Sequence, residues 1–194
     1  LYIKGSASLL SHRTVGVVGT RKSTSYGREI SKRIGTNCSA SHISLISGGA
    51  SGIDGAAHLG TCDAGGRTAA VFGTGIDVLY PASNAALFEK ITERGALITE
   101  FPTGSGAEPW HFPRRNRLVA ALSERLIVVE APQKSGAMIT ARIALELGRE
   151  VWAVPGHIDQ EVTSGSNRLI FDGAYPYISD EMFFQLNNRQ HSLF

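Results

Sequence analysis

Residues 14–21, TVGVVGTR, and the pattern that follows them decide the fold of this chain. The run from Thr14 to Val18 is apolar and β-branched, which is typical of a buried strand, and it stops at Gly19. Apolar residues then recur at every fourth position, as they do along one face of a helix: Tyr26, Ile30, Ile34 and Cys38. The sequence therefore predicts a strand that passes through a glycine turn directly into a helix.

The same alternation extends outward from this unit. Further apolar runs predict strands at residues 43–46, 68–72, 96–99, 126–129 and 151–154, and helical patterns occupy residues 53–60, 87–94 and 137–147. Because the runs show no polar alternation, we expect helices to cover both faces of the sheet. The expected fold class is α/β, a layered fold with a mostly parallel sheet.

Glycines follow several of these strands, at Gly19, Gly48 and Gly73 among other positions. Ligands of open α/β sheets bind beyond the carboxyl ends of the strands, so these turns are where we expect a ligand. The stretch from Pro102 to Pro113 is predicted to be a long loop, and such loops in small domains are often functional.

Length sets further limits. The 194 residues predict a single domain, 1–194, with an N-terminal lead-in at 1–13 and a frayed tail at 187–194. No apolar run approaches the roughly 20 residues that cross a bilayer, and the lead-in lacks the pattern of a signal peptide. Because the chain begins at Leu1 and not at Met, we expect it to be a fragment.

Composition indicates an ordinary intracellular protein. Cys38 and Cys62 lack metal-ligand spacing, so the sequence predicts no metal site and two free thiols in a cytoplasmic protein. The net charge of +2 is compatible with a nucleic-acid partner but does not require one.

The first candidate site is the turn Gly19-Thr20-Arg21-Lys22, which opens a helix. Backbone N–H groups at a helix N-terminus attract an anion, and an arginine can clamp a phosphate with two hydrogen bonds. The turn has neither GxGxxG spacing nor a Walker A loop. It is either a phosphate site or a tight turn with two solvated basic residues.

A second glycine-rich turn, SGGASGID at residues 47–54, follows the next strand. Gly48 and Gly52 allow a ligand to approach the backbone closely, and their amides can form an anion nest. Packing of a helix against the sheet accounts for the same glycines equally well. His58 lies four residues after Asp54 and is interpreted as structural, because no nucleophile accompanies it.

The densest positive segment is WHFPRRNR, residues 110–117, in a loop that runs into a helix. Arg114, Arg115 and Arg117 can clamp phosphates, while an aromatic side chain such as Phe112 can stack on a base. The alternative is that an arginine pairs with a local carboxylate and the aromatic side chains fill the core.

A fourth turn, Lys134-Ser135-Gly136, starts the helix predicted near residue 137. Ser135 can cap this helix and the first amides can hold a phosphate, although an ordinary N-cap accounts for the same residues. The similar turn at residues 73–81 is interpreted as architectural. Several turns that can each bind a phosphate, at one edge of a sheet, fit a ligand with several phosphates better than a mononucleotide.

In this order along the chain, the motifs resemble those of the DNA-processing protein A (DprA/Smf) family. VVGTR at 17–21 looks like the family's Gly-Ser/Thr-Arg motif and GTGIDVLYP at 73–81 like its third signature. FPRRNR at 112–117 looks like its FPxRNR block, SGAMITA at 135–141 like its SGSLITA block, and GREV and AVPG at 148–156 like the strand that follows. The match runs from about Leu1 to Glu181.

The resemblance implies an extended Rossmann-like, three-layer domain that binds and protects single-stranded DNA. It further implies that the protein loads the recombinase RecA onto this DNA during natural transformation and recombination, as a homodimer without catalytic residues or a cofactor. The DNA-binding residues predicted from the turns and from this resemblance together are Gly19, Thr20, Arg21, Lys22, Gly48, Gly52, Phe112, Arg114, Arg115, Asn116, Arg117, Lys134, Ser135 and Gly136. Ser51 stands where the family often has a basic residue, which removes one expected phosphate contact.

The alternative function is a nucleotide-binding or nucleotide-hydrolysing Rossmann-like enzyme, similar to the phosphoribohydrolases. Those enzymes carry a PGGxGTxxE block, whereas Pro155-Gly156 continues here as His157-Ile158-Asp159. A dinucleotide dehydrogenase also fits poorly, because GxGxxG is absent after the first strand. The sequence therefore favours a binding protein over an enzyme.

Overall fold

Strands and helices alternate along the chain, as the apolar runs predict. The computed structural model describes residues 1–189, with side chains described as far as Phe184. The strands of this part are β1 (Tyr2–Gly5), β2 (Thr14–Val18), β3 (Ser44–Ser47), β4 (Thr68–Val71), β5 (Ala96–Thr99), β6 (Arg125–Val128), β7 (Glu150–Ala153) and β8 (Tyr175–Pro176). The helices are α1 (Ser25–Ala40), α2 (Ile53–Asp63), α3 (Ala85–Arg94), α4 (His111–Ala121), α5 (Gly136–Glu146), α6 (Glu161–Phe171) and α7 (Asp180–Arg189), with short 3-10 turns at Ala7–Ser11 and Ala82–Asn84.

The strands form one sheet in the order β1-β5-β4-β3-β2-β6-β7-β8. Neighbouring strands are parallel except β1, which pairs antiparallel with β5. β2 lies between β3 and β6, so the order of the strands reverses direction there. This reversal is the position at which open α/β sheets bind ligands.

Successive side chains of the central strands are buried on opposite faces of the sheet. Val15 and Val17 of β2 pack with residues of α1, α2 and α7, whereas Val18 packs with residues of α4, α5 and α6. α3 covers Ala70 and Leu97 on the same face as α2. The prediction of a three-layer α/β fold with a mostly parallel sheet is therefore confirmed, and it follows from strands that are apolar on both faces.

The structure gives more detail at three boundaries, and at one of them, the end of the long loop, it differs from the sequence prediction. The lead-in contains β1, whose side chains are all exposed and so give no apolar pattern, and a turn that buries Leu9. The loop expected to reach Pro113 ends at Trp110, because a proline fits the first turn of a helix, where its missing N–H has no partner. Of the tail expected to fray, residues 187–189 continue α7 and the rest lies outside the described residues.

Both cysteines are free thiols, and burial raises the pKa of Cys38 to about 12. In the part of the chain that the structure describes, every helix is too short or too polar to cross a bilayer.

Candidate nucleic-acid interface

A cleft of about 650 Å³ opens at the carboxyl ends of β2, β3 and β6, with the first turns of α4 and α5 as its other wall. Segments from all four predicted motifs meet there. The predicted residues that line it are Gly19, Thr20, Arg21, Lys22, Gly48, Phe112, Arg115, Asn116, Lys134, Ser135 and Gly136. Gly52, Arg114 and Arg117 lie outside its lining.

The loop from Gly19 to Thr24 presents Arg21 and Lys22 to the cleft. A Cβ atom at Gly19 would lie 2.5 Å from Ile53 Cγ1, so only glycine fits where the strand meets the loop. Arg21 is exposed, and its guanidinium carbon lies 5.1 Å from the centre of the Phe112 ring. This is a cation–π distance, so the cleft offers a cation and an aromatic face side by side.

Glu130, which follows β6, holds this loop at both ends. Its carbonyl oxygen accepts a hydrogen bond from the Thr20 N–H (2.7 Å), and its carboxylate accepts from the Thr24 N–H (2.9 Å) and the Thr24 hydroxyl. A Cβ atom at Gly27 would lie 2.3 Å from Glu130 Oε2, so a glycine is needed for the carboxylate to reach the start of α1. A buried carboxylate is favourable at a helix N-terminus. The sequence analysis missed Glu130, whose only signal is an acidic residue directly after a buried strand.

Gly52 supports the same loop from α2. Its φ is +79°, and a Cβ atom would lie 2.5 Å from the carbonyl oxygen of Thr20. The N–H of the next residue, Ile53, donates a hydrogen bond to the same carbonyl oxygen of Thr20, at 3.3 Å. Close packing, the second of the two interpretations of this glycine, accounts for its position.

Helix α4 separates its basic residues onto two faces. Arg114 and Arg117 are three residues apart and share a face, where both pair with Glu100; the Arg114 Nε to Glu100 Oε1 distance is 3.4 Å. Phe112 and Arg115 lie on the face that meets the cleft. Of the three arginines expected in the groove, the helix therefore directs one toward it.

That arginine is buried, with 5% of its surface exposed. Arg115 Nη1 donates to the carbonyl oxygens of Gly48 and Val71, and Arg115 Nε donates to Asn116 Oδ1 at 3.2 Å. Asn116 Nδ2 in turn donates to the Gly136 carbonyl oxygen at 3.1 Å. The two side chains thus tie α4 to the ends of β3 and β4 and to the start of α5.

A buried ionisable cluster lies at the floor of the cleft, where Asp54 and Arg115 belong to the lining. Burial raises the pKa of Asp54 to about 6, with Arg115 acting in the opposite direction, and burial lowers the pKa of Arg115 to about 10. Burial, and secondarily Arg115, lower the pKa of His58 to about 3. His58 is therefore neutral near pH 7, and its Nδ1 lies 2.7 Å from Thr68 Oγ1, which fits a structural role.

The start of α5 completes the cleft. The Ser135 hydroxyl oxygen accepts a hydrogen bond from the Met138 N–H (3.4 Å), so Ser135 caps the helix as predicted. Lys134 is exposed beside it. The free N–H groups of a helix N-terminus and a lysine together favour an anion.

Tyr80 is a cleft residue that the sequence analysis did not identify, because the turn at 73–81 was interpreted as architectural. It is 42% exposed, and its ring centre lies 5.4 Å from that of Phe112. A smaller cavity of about 170 Å³ lies between these rings, Arg21 and the glycine turn of β3. An exposed aromatic residue after a glycine-rich strand end was the available signal.

Acidic and sulfur ligands are not grouped as a metal site requires. Among residues 1–189, no three His, Cys, Asp or Glu side chains come together in a way that could hold a metal ion. The chemistry of the cleft comes mainly from cationic side chains, backbone N–H groups and aromatic faces, and Asp54 is an acidic residue in its lining.

Known proteins are similar to this chain in sequence and in fold. The model of the family described as DNA recombination-mediator protein A matches residues 1–187. The DNA processing protein DprA of Bacillus subtilis is 40% identical over 186 residues, which cover 95% of this chain and 63% of that protein. The chain spans about half the length of the curated relatives that it matches.

Two solved structures are similar over nearly the whole chain. DNA processing protein A of Streptococcus pneumoniae superposes with a TM-score of 0.87 at 37% identity, covering 92% of this chain and 63% of that one. DNA processing protein A of Helicobacter pylori, whose structure was determined to explain its single-stranded DNA binding mode, gives a TM-score of 0.90 at 27% identity, covering 97% and 86%.

Proposed function

Because the chain belongs to the DNA recombination-mediator protein A family, we propose that it binds and protects single-stranded DNA in the cleft and loads the recombinase RecA onto that DNA. We propose that it does so in the cytoplasm during natural transformation and recombination, as a homodimer without catalytic activity.

The observation that carries the DNA-binding proposal is the placement of Arg21 against Phe112. A nucleotide in a single strand presents a charged phosphate and a flat base, and the cleft offers a guanidinium and an aromatic ring in contact with one another. Tyr80 adds a second ring, and Lys22 and Lys134 add charge along the rim. The relative from Helicobacter pylori binds single-stranded DNA, which supports the same ligand for this chain.

This chemistry favours single strands without reading their sequence. Every base has a face that can stack, and every nucleotide has a phosphate, so stacking and charge discriminate little among bases. In a duplex the bases are already stacked and paired, so the rings at Phe112 and Tyr80 would have no base face to contact.

Exposed apolar residues near the C-terminus support the proposed homodimer. Phe171, Ile178 and Met182 are 80%, 63% and 46% exposed. Contiguous patches of such side chains are typical of surfaces that another protein covers, so the proposal requires these three residues to adjoin in the dimer interface.

The proposal that the protein is not an enzyme rests on how the buried ionisable groups are engaged. Asp54 accepts a hydrogen bond from the Ala50 N–H at 3.3 Å and faces Arg115, and His58 is held by Thr68 below the cleft. Each group has a structural partner, although His58 is held through Nδ1 alone and its buried Nε2 has no hydrogen-bond partner among the described residues. Release of ribose phosphate from AMP by the purified protein would overturn this part of the proposal.

Fluorescence anisotropy with labelled oligo-dT, as a single strand and as a duplex with oligo-dA, tests the proposal across a salt series. We expect preferential binding of the single strand that weakens as salt increases, because each phosphate neutralised releases condensed counterions. Equal affinity for both forms, or no binding at low salt, would contradict single-stranded DNA binding by this domain.

The variant Arg21→Ala tests whether the DNA binds in the cleft. We expect weaker binding and a salt slope smaller by about 0.7 if Arg21 neutralises one phosphate of a single strand. Lys4→Ala is the control, since Lys4 is an exposed cation on the edge strand β1. If the two variants behave alike, the cleft is not the binding site.

A further inference from the structure

A second recess lies at the other edge of the sheet, where β3 and β4 begin. Its volume is about 380 Å³, and it lies between the ends of α1, α2 and α3. The lining residues are Ser39, His42, Ile43, Gly65, Gly66, Arg67 and Arg94.

The side chains that line this recess are basic or neutral. It contains His42, Arg67 and Arg94 and no acidic residue. Arg94 Nη1 donates to the Gly65 carbonyl oxygen at 3.0 Å, which fixes one guanidinium at the rim. The side chain of Arg67 forms no hydrogen bond or ion pair with another described residue. The nearby carboxylate of Asp63 is engaged by Lys90 Nζ at 3.5 Å.

The backbone N–H groups of the glycines in the recess are already engaged in hydrogen bonds, so only side chains are available to bind a ligand. The Gly65 N–H donates to the Cys62 carbonyl oxygen and the Gly66 N–H to that of Thr61, each at 2.9 Å. A Cβ atom at Gly66 would lie 2.7 Å from Ser39 Cβ, so a larger residue would press into the wall. A ligand therefore meets no free amides but the guanidinium and imidazole groups, whose positive charge must outweigh the partial negative charge of the C-terminal ends of α1, α2 and α3.

We propose that this recess is a second anion site that binds a phosphate group. Two guanidinium groups present planar sets of N–H donors that match phosphate oxygens, and both charges converge on one concave surface. The phosphate comes either from a DNA backbone that continues beyond the cleft, in which case this inference rests on the proposed function, or from a free phosphate compound.

A titration with pyrophosphate, followed by ¹H–¹⁵N correlation spectra of the labelled protein, tests the site without DNA. The amides of Gly65 and Gly66 should shift in a saturable way, and Arg67→Ala should weaken this binding roughly tenfold, as loss of a charge-assisted contact does. Arg67→Glu should abolish it, whereas Lys4→Ala should leave it unchanged. The amides of Gly48 and Gly136 report the cleft separately. If Gly65 and Gly66 do not move, or move equally in wild type and Arg67→Glu, the site does not exist.

The salt dependence of oligo-dT binding then identifies the source of the phosphate. If a DNA strand reaches the recess, Arg67→Ala should lower the salt slope by about 0.7 for a long oligonucleotide but not for one that only fills the cleft. An unchanged slope, with pyrophosphate binding intact, assigns the site to a free phosphate compound. Pyrophosphate binding without any DNA binding would refute the proposed function and leave the anion site standing.

Discussion

The Gly19–Thr24 loop and helix α4 both bring basic residues to the mouth of one cleft, but they present them in opposite ways. The loop leaves Arg21 and Lys22 exposed and is fixed by backbone bonds and by Glu130. The helix buries Arg115 at the floor of the cleft and turns its other two arginines toward Glu100. Loop charges are thus available to a ligand, whereas each helix arginine is engaged by another group of the protein, and only the buried Arg115 is expected to contribute much to stability.

The difference follows from backbone geometry. Successive residues on a helix point about 100° apart, so a dense run of arginines is distributed around the axis. A loop that bulges from a glycine turn can keep neighbouring side chains on its outer side. The local density of arginine in a sequence is therefore a weaker guide to binding than the element that carries it.

The largest expected effect is a difference in the free energy of unfolding between variants of a buried and of an exposed arginine of α4. Arg115→Ala leaves the carbonyl oxygens of Gly48 and Val71 without their donor and should lower the free energy of unfolding by about 3–5 kcal/mol, as loss of a partner from a buried charged network does. Arg117→Ala should change it by less than about 1 kcal/mol, because Arg117 is half exposed. Urea denaturation measures both. Equal losses of unfolding free energy in the two variants would contradict the claim that buried and exposed arginines of α4 have different roles.

The next effect concerns the one α4 side chain that we expect to contact a base. Phe112→Ala should weaken binding of oligo-dT by roughly 1–3 kcal/mol if the ring stacks on a base. Thermal unfolding of the same variant separates the two possible roles. A lower melting temperature with unchanged affinity of the folded protein would make Phe112 a packing residue.

The smallest effect is a pH dependence of DNA binding that comes from Asp54. Its pKa of about 6 lies above the usual value because of burial, so the carboxyl gains a proton as the pH falls through 6. A phosphate bound near Arg21 disfavours the carboxylate further, so binding takes up a proton and the affinity should rise about threefold between about pH 8 and about pH 5.5. Asp54→Asn should bind more tightly than wild type at the higher pH and should lose this dependence. If its pH profile matches that of wild type, another group is responsible.

The fold could be predicted because its decisive strands are buried on both faces and therefore read as uninterrupted apolar runs. β1 escaped prediction because all four of its residues are exposed. The cleft could be predicted because parallel strands bring their carboxyl-end turns to one edge of the sheet. The side-chain directions on α4 were not predicted, because its first turn was expected to belong to a loop, and the step of about 100° per residue fixes directions only for residues known to be helical. Tyr80 and Glu130 acquire their places from contacts with segments far away in the chain.

The attachment of the Arg21 loop to Glu130 has a consequence for anyone who wishes to move this binding loop into another protein. Residues 19–24 transplanted alone would carry Arg21 but would not hold it in place. The loop is fixed by Glu130, which follows the neighbouring strand β6, and Gly27 leaves the space for the Glu130 carboxylate. A working graft would need all three parts at once. For the same reason these positions should change together among related sequences, as one unit scattered over more than a hundred residues of chain.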